Sequence, residues 1–501
     1  MQAVDAGTDE MGEPGGAMGQ AGPFEVDGAA TGSGVIDASR PGGPSRSSRG
    51  SGDGARGRCS VAGGAREPIG VMLLISSLEA GGAERQVIEL ARAMDRRWFR
   101  PVICSLSDHV PLAAGLSDAV ELIVVPKRWK FDVTVVTRVA RILVERRIRI
   151  VHAFLFDAEM VGRLAGRIGR HPVVISSERN TDYRRPVIHT ACFNLTRGLS
   201  DGWIANSHSG KRFLTRTMGI ARNQIHVVHN GVDVEKFRPA KTRAGSPCHE
   251  GAPDESRAGS PCHAATVSPC HETNGNTVRE ELGIPVEDRV VGMVASFKRQ
   301  KNHHHFFRMA RQVLERVPNT WFFCVGEPLR DNQQGAEDYH REMRTLLEKS
   351  GLGSRCRLLG VRRDMPEVYN ACDVTVLSSS REGTPNVLLE SMACGVPVVA
   401  TDVSDNAYVV PEGRAGFVVP LGDVPAMSER VCRLLGNDDL REQMGRSARA
   451  WVEEAFAPVT LAERTQAIYN ELLHRRRVAQ GGCVRTGRSR ARDRVEAASS
   501  T

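Results

Sequence analysis

Short, continuously apolar runs recur along most of this chain, each followed by a stretch with helical periodicity. A first series comprises Ile69–Ile75, Val102–Leu106, Leu122–Val125, Ile150–His152, Val173–Ser176 and Gly202–Ala205. A second comprises Val290–Ala295, Trp321–Gly326, Cys356–Leu359, Val374–Leu377 and Val398–Thr401. Runs this short, without polar alternation, suit strands buried on both faces, as in parallel sheets. Between them the pattern changes period. After Ile75, Gly81-Gly82 breaks the chain before a helix with apolar positions Val87, Ile88, Leu90, Ala91 and Met94. Strands alternating with helices imply an α/β fold of two doubly wound units in tandem, with the carboxyl ends of both strand sets facing one cleft.

The length of 501 residues fits that division, since one core rarely organises so long a chain. Residues 1–67 are Gly-, Ser-, Ala- and Arg-rich with few large apolar side chains, and are expected to be disordered. The first unit spans 68–240 and the second 276–457. A helix over 458–474 follows, and 475–501 is expected to be a basic disordered tail. Between the units, residues 241–275 repeat Ser-Pro-Cys-His within Arg243–His249, Arg257–His263 and Ser268–His271. Adjacent Cys-His lacks the spacing of structural zinc sites, so this segment reads as a flexible insert.

Charge is unevenly placed. Residues 68–240 carry 26 Lys and Arg against 16 acids, 276–455 carry 23 against 26, and the tail has 8 Arg against 2 acids. A basic excess confined to one unit and a tail without interleaved aromatics speaks against a nucleic-acid-binding protein. The N-terminus shows no basic segment leading into an apolar core, and no apolar run approaches a membrane span. The 12 cysteines are scattered, as expected of reduced thiols in a cytoplasmic protein.

The chemistry concentrates in Arg381-Glu382-Gly383-Thr384-Pro385-Asn386-Val387-Leu388-Leu389-Glu390, which leads through Gly395-Val-Pro397 into a strand. Glu382 lies in a Gly/Pro loop and Glu390 in the Ala-rich helix after it. Free N–H groups at a helix start receive phosphates, and ionised carboxylates accept from sugar hydroxyls. Together they describe a site for a nucleotide-sugar.

This E-x7-E arrangement resembles the signature of retaining glycosyltransferases with the GT-B fold of two Rossmann-like domains, in particular glycosyltransferase family 4. The resemblance runs from about Pro68 to about Leu473. It implies that Glu390 accepts from the ribose and Glu382 holds donor-sugar hydroxyls. The loop N–H groups of Gly383, Thr384, Asn386 and Val387 serve sugar and phosphate, whereas Pro385 has none to give. Lys298 and Lys301 hold the diphosphate. Ser296 stands where many members have Arg, which leaves open whether Lys298 or Arg299 points inward. The base lies against Val361 and Arg362, contacted largely by backbone. Gly81 and Gly82 match the family's glycine loop, and the helix 458–474 is expected to cross back to the first domain. His152, Glu178, Arg179 and Asn180 stand as acceptor-side candidates, Glu178 also as a catalytic one; Asn230-Gly231-Val232-Asp233 reads as a structural turn.

The implied activity moves a hexose or N-acetylhexosamine, from a UDP-sugar first and a GDP-sugar second, to a glycan or lipid-linked acceptor with retention. Glu382, on the hydroxyl side of the sugar, is not expected to act as a nucleophile. The leaving diphosphate is stabilised by Lys298, Lys301 and loop N–H groups, and closure excludes water. No metal and no other cofactor are expected. The competing readings are a nucleotide-sugar 2-epimerase, which needs no acceptor, and a non-catalytic sugar-nucleotide binder, in which Glu382 is dispensable. The Lys127–Phe131 patch and the Arg-bearing segment 132–147 suit peripheral contact with anionic lipid at the inner face of the membrane.

Overall fold

The computed structural model describes residues 67–79, 81–116, 120–129, 132–179, 187–240, 275–328 and 333–498, with side chains to 478. The N-terminal segment up to residue 66, Asn180, Lys130, Phe131 and the insert 241–274 lie outside the described residues. The first unit holds β1 (Ile69–Ile75), β2 (Phe99–Ser105), β3 (Glu121–Val124), β4 (Ile148–Phe154), β5 (Val173–Glu178), β6 (Gly202–Ala205) and β7 (Ile225–Val227). The second holds β8 (Arg289–Val294), β9 (Thr320–Val325), β10 (Cys356–Leu358), β11 (Val374–Leu377), β12 (Val398–Thr401) and β13 (Gly416–Val419).

The first sheet runs β3-β2-β1-β4-β5-β6-β7 and the second β10-β9-β8-β11-β12-β13. Each named strand pairing is parallel. Both sheets reverse direction of growth beside their first strand, so the crevices at β1/β4 and β8/β11 are where a ligand is expected. The sequence reading missed β7 and β13. β7 is three residues long with a polar His226 at its centre, and β13 is a four-residue run opened by glycine. Neither carries enough apolar pattern to stand out from a loop.

Each sheet is covered on both faces. In the first unit, one face packs Val71, Leu73 and Ile150 against Leu90 and Ala91; the other packs Met72, Leu74 and Val151 against Val139, Leu143 and Val161. The last helix joins the first of these clusters with Leu461, Ile468, Tyr469 and Leu472. It docks closely: a Cβ on Gly202 would come within 2.9 Å of Leu472. Gln466 also accepts from the backbone N–H of Asp95 at 2.9 Å. This helix spans Pro458–Ala498. It therefore runs through the stretch that composition marked as a disordered tail, its arginines carrying good helix propensity.

Candidate functional site

Both sheets bring loops to the same place. After β8 the chain turns through Ser296–Lys298, makes one 3-10 turn at Arg299–Lys301 and enters the helix His303–Arg316. Phe297 anchors the turn in the core. The end of β11 ties it down: Ser378 Oγ donates to the carbonyl of Lys301 at 2.9 Å, and the N–H of Ser380 donates to Gln300 at 2.7 Å. Asn302 takes a left-handed conformation, φ +50°, and its amide donates to the Ser378 carbonyl. Lys301 is thereby aimed at the next loop, where its Nζ lies 2.6 Å from Glu382 Oε1, both side chains largely buried. Arg299 points away, pairing with Glu342 at 3.0 Å in solvent, while Lys298 is half-buried.

The loop from Glu382 to Asn386 is held by the first unit. A Cβ on Gly383 would stand 2.5 Å from Asn206 Nδ2, so a larger residue would have to displace the Asn206 side chain. The Thr384 hydroxyl donates to the carbonyl of Asn206. Asn230 Nδ2 donates to Thr384 O at 3.1 Å and to Asn386 Oδ1 at 2.7 Å, while Asn230 Oδ1 accepts from Arg179 at 2.8 Å. The helix Asn386–Ala393 begins after Pro385 with no capping side chain, leaving first-turn N–H groups for a ligand. Across from it, Gly82 O accepts from Asn386 Nδ2 at 3.4 Å. Gly81, Gly82, Lys301, Glu382 and the 383–387 loop thus form one site.

Glu390 is buried in this site. Its Oε2 accepts from the Tyr369 hydroxyl at 2.8 Å and its Oε1 from Arg85 at 3.1 Å. Burial pushes its pKa above the ordinary carboxylate value, although Arg85 and Tyr369 act in the opposite direction. Each oxygen keeps a second lone pair that a vicinal diol can use.

Other expected site residues are placed differently. His152 is not open to an acceptor: it is 1% exposed, its Nδ1 lies 2.8 Å from the Tyr469 hydroxyl, and its ring packs on Phe154. Burial depresses its pKa well below the usual imidazole value, and its Nε2 is buried without a hydrogen-bond partner. Alternation along β4 turns it toward the last helix. Glu178, at the end of β5, is also buried. Arg179 is buried with its Nε unbonded, and burial lowers its pKa to about 10. The Arg362 guanidinium is taken by Glu281, at 2.7 and 2.8 Å, and Asp364, leaving only its backbone for a base. Val361 is exposed.

Several interdomain contacts escaped the sequence reading. Asn230, taken as a turn residue, bridges Arg179 and the 384–386 loop, and Arg85 reaches Glu390. Asp405, after β12, accepts from the N–H of His208 at 2.6 Å and of Ser209 at 3.0 Å, and lies 2.9 Å from His208 Nδ1 and 3.0 Å from His229 Nε2. Tyr408 stacks on His229 at 4.4 Å. Burial raises the Asp405 pKa, but these hydrogen bonds outweigh it and hold the carboxylate well below its ordinary range. Among the described residues, His208, His229 and Asp405 are grouped closely enough to hold a metal. Oδ2 already receives three donors, however, so the arrangement serves as a hydrogen-bonded clasp. Sequence offered no signal for it beyond polar residues at strand ends.

Residues 80–236 match the family Glycosyltransferase Family 4, and residues 275–451 match Glycosyl transferases group 1. The chain is 23% identical over 396 residues to the UDP-Gal:alpha-D-GlcNAc-diphosphoundecaprenol alpha-1,3-galactosyltransferase of Escherichia coli, covering 75% of this chain and 84% of that one. It is 27% identical to the D-inositol 3-phosphate glycosyltransferase of Corynebacterium jeikeium over 58% of this chain and 62% of that protein. Anabaena HepE, solved with UDP, superposes with a TM-score of 0.64 at 20% identity, covering 80% of this chain and all of that one. The two matched regions take in β2 to β13 and the loops that meet between the two sheets, and the chain belongs to glycosyltransferase family 4, with the GT-B fold.

Proposed function

We propose that this glycosyltransferase moves a hexose or N-acetylhexosamine from a UDP-sugar to a glycan or lipid-linked saccharide, with retention and without a metal, in polysaccharide or glycoconjugate synthesis. The observation that carries the reading is the Lys301–Glu382 pair facing the uncapped helix start and the Gly81-Gly82 loop. A diphosphate supplies Lys301 with a second anionic partner, and Glu382 then holds sugar hydroxyls. Lys298, Lys301 and the first-turn N–H groups stabilise the departing diphosphate, where charge develops in the transition state. The leaving phosphate takes the acceptor's proton from the same face of the sugar. Glu382, already paired beside the phosphate cation, serves to orient the sugar. The choice of UDP draws support from HepE, solved with UDP-glucose, and from the UDP-Gal-dependent relative, whose acceptor is a diphosphoundecaprenol-linked saccharide.

We place the reaction in the cytoplasm, at the inner face of the membrane when the acceptor is lipid-linked. No described helix is long and apolar enough to cross a membrane, and Trp129 stands exposed beside Lys127 and Arg128. A thermal-shift panel of UDP-, GDP- and ADP-sugars in EDTA tests the donor assignment. UDP-sugars are expected to raise the melting temperature and to support transfer. Failure of UDP-sugars to bind, or loss of transfer in EDTA that zinc or magnesium restores, overturns the corresponding part.

Glu390 gives the site a pH dependence. As pH falls through its raised pKa, the carboxylate that accepts from the ribose becomes neutral. UDP affinity is therefore expected to be full at high pH and to decline beginning above 4.5, the ordinary carboxylate value. Calorimetric Kd values from pH 8 to 5, compared with Glu390→Gln, remove the diphosphate's own titration. Parallel profiles for the two proteins would exclude this role.

A further inference from the structure

A cluster of arginines lies at the opposite end of the first sheet from the cleft. A pocket of about 580 Å³ opens at the amino ends of β1, β4 and β5, within the usual range for ligand sites. Six arginines line it: Arg100 from β2, Arg147 and Arg149 at the start of β4, Arg170 before β5, and Arg476 and Arg477 from the last helix. The carboxylate in the lining is Glu67, 3.8 Å from Arg147 with both side chains largely in solvent. Arg476 reaches Asp201 at 3.4 Å, and Arg100 donates to the carbonyl of Arg146. Arg149, Arg170 and Arg477 have no carboxylate partner among the described residues. The floor between them is apolar, formed by Ile148, Val173 and Leu473.

A second observation points to the same place. Among the described residues, six non-glycine positions have positive φ, and three of them, Arg147 at +51°, Arg170 at +56° and His171 at +49°, line this pocket. Two others, Asn302 and Ser404, belong to the donor site, where Asn302 sets the Lys301 turn and Ser404 Oγ accepts from the N–H of Glu382. Arg147 and Arg170 follow the C-caps of the helices Thr134–Glu145 and Phe156–Ile168, where a left-handed residue commonly ends a helix. Here this conformation projects arginine side chains from two adjacent turns into one cavity.

We propose that this pocket binds a multiply charged phosphorylated anion, separate from the donor site. Guanidinium groups converging from separate elements match phosphate oxygens bidentately, and an anion relieves their mutual repulsion. Because the last helix supplies Arg476, Arg477 and Leu473 while the strands supply the rest, a bound anion ties that helix to the sheet and raises the melting temperature. Either a free polyphosphate or the headgroups of an anionic lipid surface present this chemistry.

The test uses the full chain with inorganic tripolyphosphate and, separately, vesicles of phosphatidylglycerol or phosphatidylcholine. The triple variant Arg149→Ala/Arg170→Ala/Arg477→Ala removes three exposed side chains without carboxylate partners. It is expected to keep the ligand-free melting temperature and UDP binding, which verifies folding. Tripolyphosphate should bind wild type and a Lys298→Ala/Lys301→Ala variant alike, and the triple variant at least tenfold more weakly. Sedimentation with phosphatidylglycerol but not phosphatidylcholine vesicles, lost in the triple variant, identifies a lipid source. Tripolyphosphate binding lost in the triple variant while vesicle binding persists identifies a free one. Wild-type affinity of the triple variant for both probes, or tripolyphosphate binding that disappears with Lys298 and Lys301, overturns the proposal.

Discussion

Glu382→Gln is expected to lower kcat by about 100- to 1,000-fold while leaving UDP affinity within about threefold of wild type. The side chain is 10% exposed and bound to Lys301 at 2.6 Å, so its position is set before any substrate arrives. Glutamine keeps the size and one acceptor oxygen but removes the charge that strengthens hydrogen bonds from sugar hydroxyls. It also leaves Lys301 without its anionic partner at the start of the reaction. Lys301→Ala should instead weaken UDP binding and transfer together, because it removes the cation that holds the diphosphate in both ground and transition states. Steady-state kinetics and UDP calorimetry on the two variants separate these outcomes. Wild-type kcat in Glu382→Gln would eliminate the sugar-orienting role and favour a non-catalytic binder.

Asp405→Ala should be the most destabilising single change at the domain junction, at about 3–5 kcal/mol. Asp405 is 2% exposed at its side chain and accepts from two backbone N–H groups and two imidazoles of the other unit. Ser207 already caps the helix His208–Arg216, so Asp405 supplies that helix with a second, interdomain cap. Alanine leaves four donors without their acceptor, the buried His229 ring among them, and desolvated unpaired donors cost more than the bonds contribute when present. The folded-state pKa is depressed, so the clasp is intact at neutral pH and is lost only as acid protonates the carboxylate below its ordinary range. Melting by calorimetry at pH 7 should fall by roughly 6–15 °C, and small-angle scattering should show a larger radius of gyration from opened domains. An unchanged melting temperature would show that the junction does not depend on Asp405.

The E-x7-E loop was legible because its chemistry is local. Glycine, proline and an uncapped helix start lie within ten residues, and their turn preferences do not depend on distant partners. The same holds for Gly81-Gly82 and for Lys301, each placed after a strand by the alternation of apolar runs. The burial of His152 was not legible for a related reason. Its position near the end of an apolar run is a local property, but which face of β4 it takes, and that the last helix covers that face with Tyr469, are not. The Arg362 guanidinium is occupied by Glu281 and Asp364, which only the fold brings to it.

The chain's pattern alone determined two doubly wound units and the loops at their strand ends, among them the one that carries Glu382 and Glu390. Periodicity and turn chemistry act over a few residues, and these features need nothing more. Only the tertiary structure decided that Asn230 joins Arg179 to Asn386, that Arg85 meets Glu390, and that Asp405 gathers two histidines from the other unit. It alone also gathered six arginines around one pocket. These groups lie up to hundreds of residues apart in sequence, and their pairing depends on how two packed cores present their surfaces, which no local preference encodes.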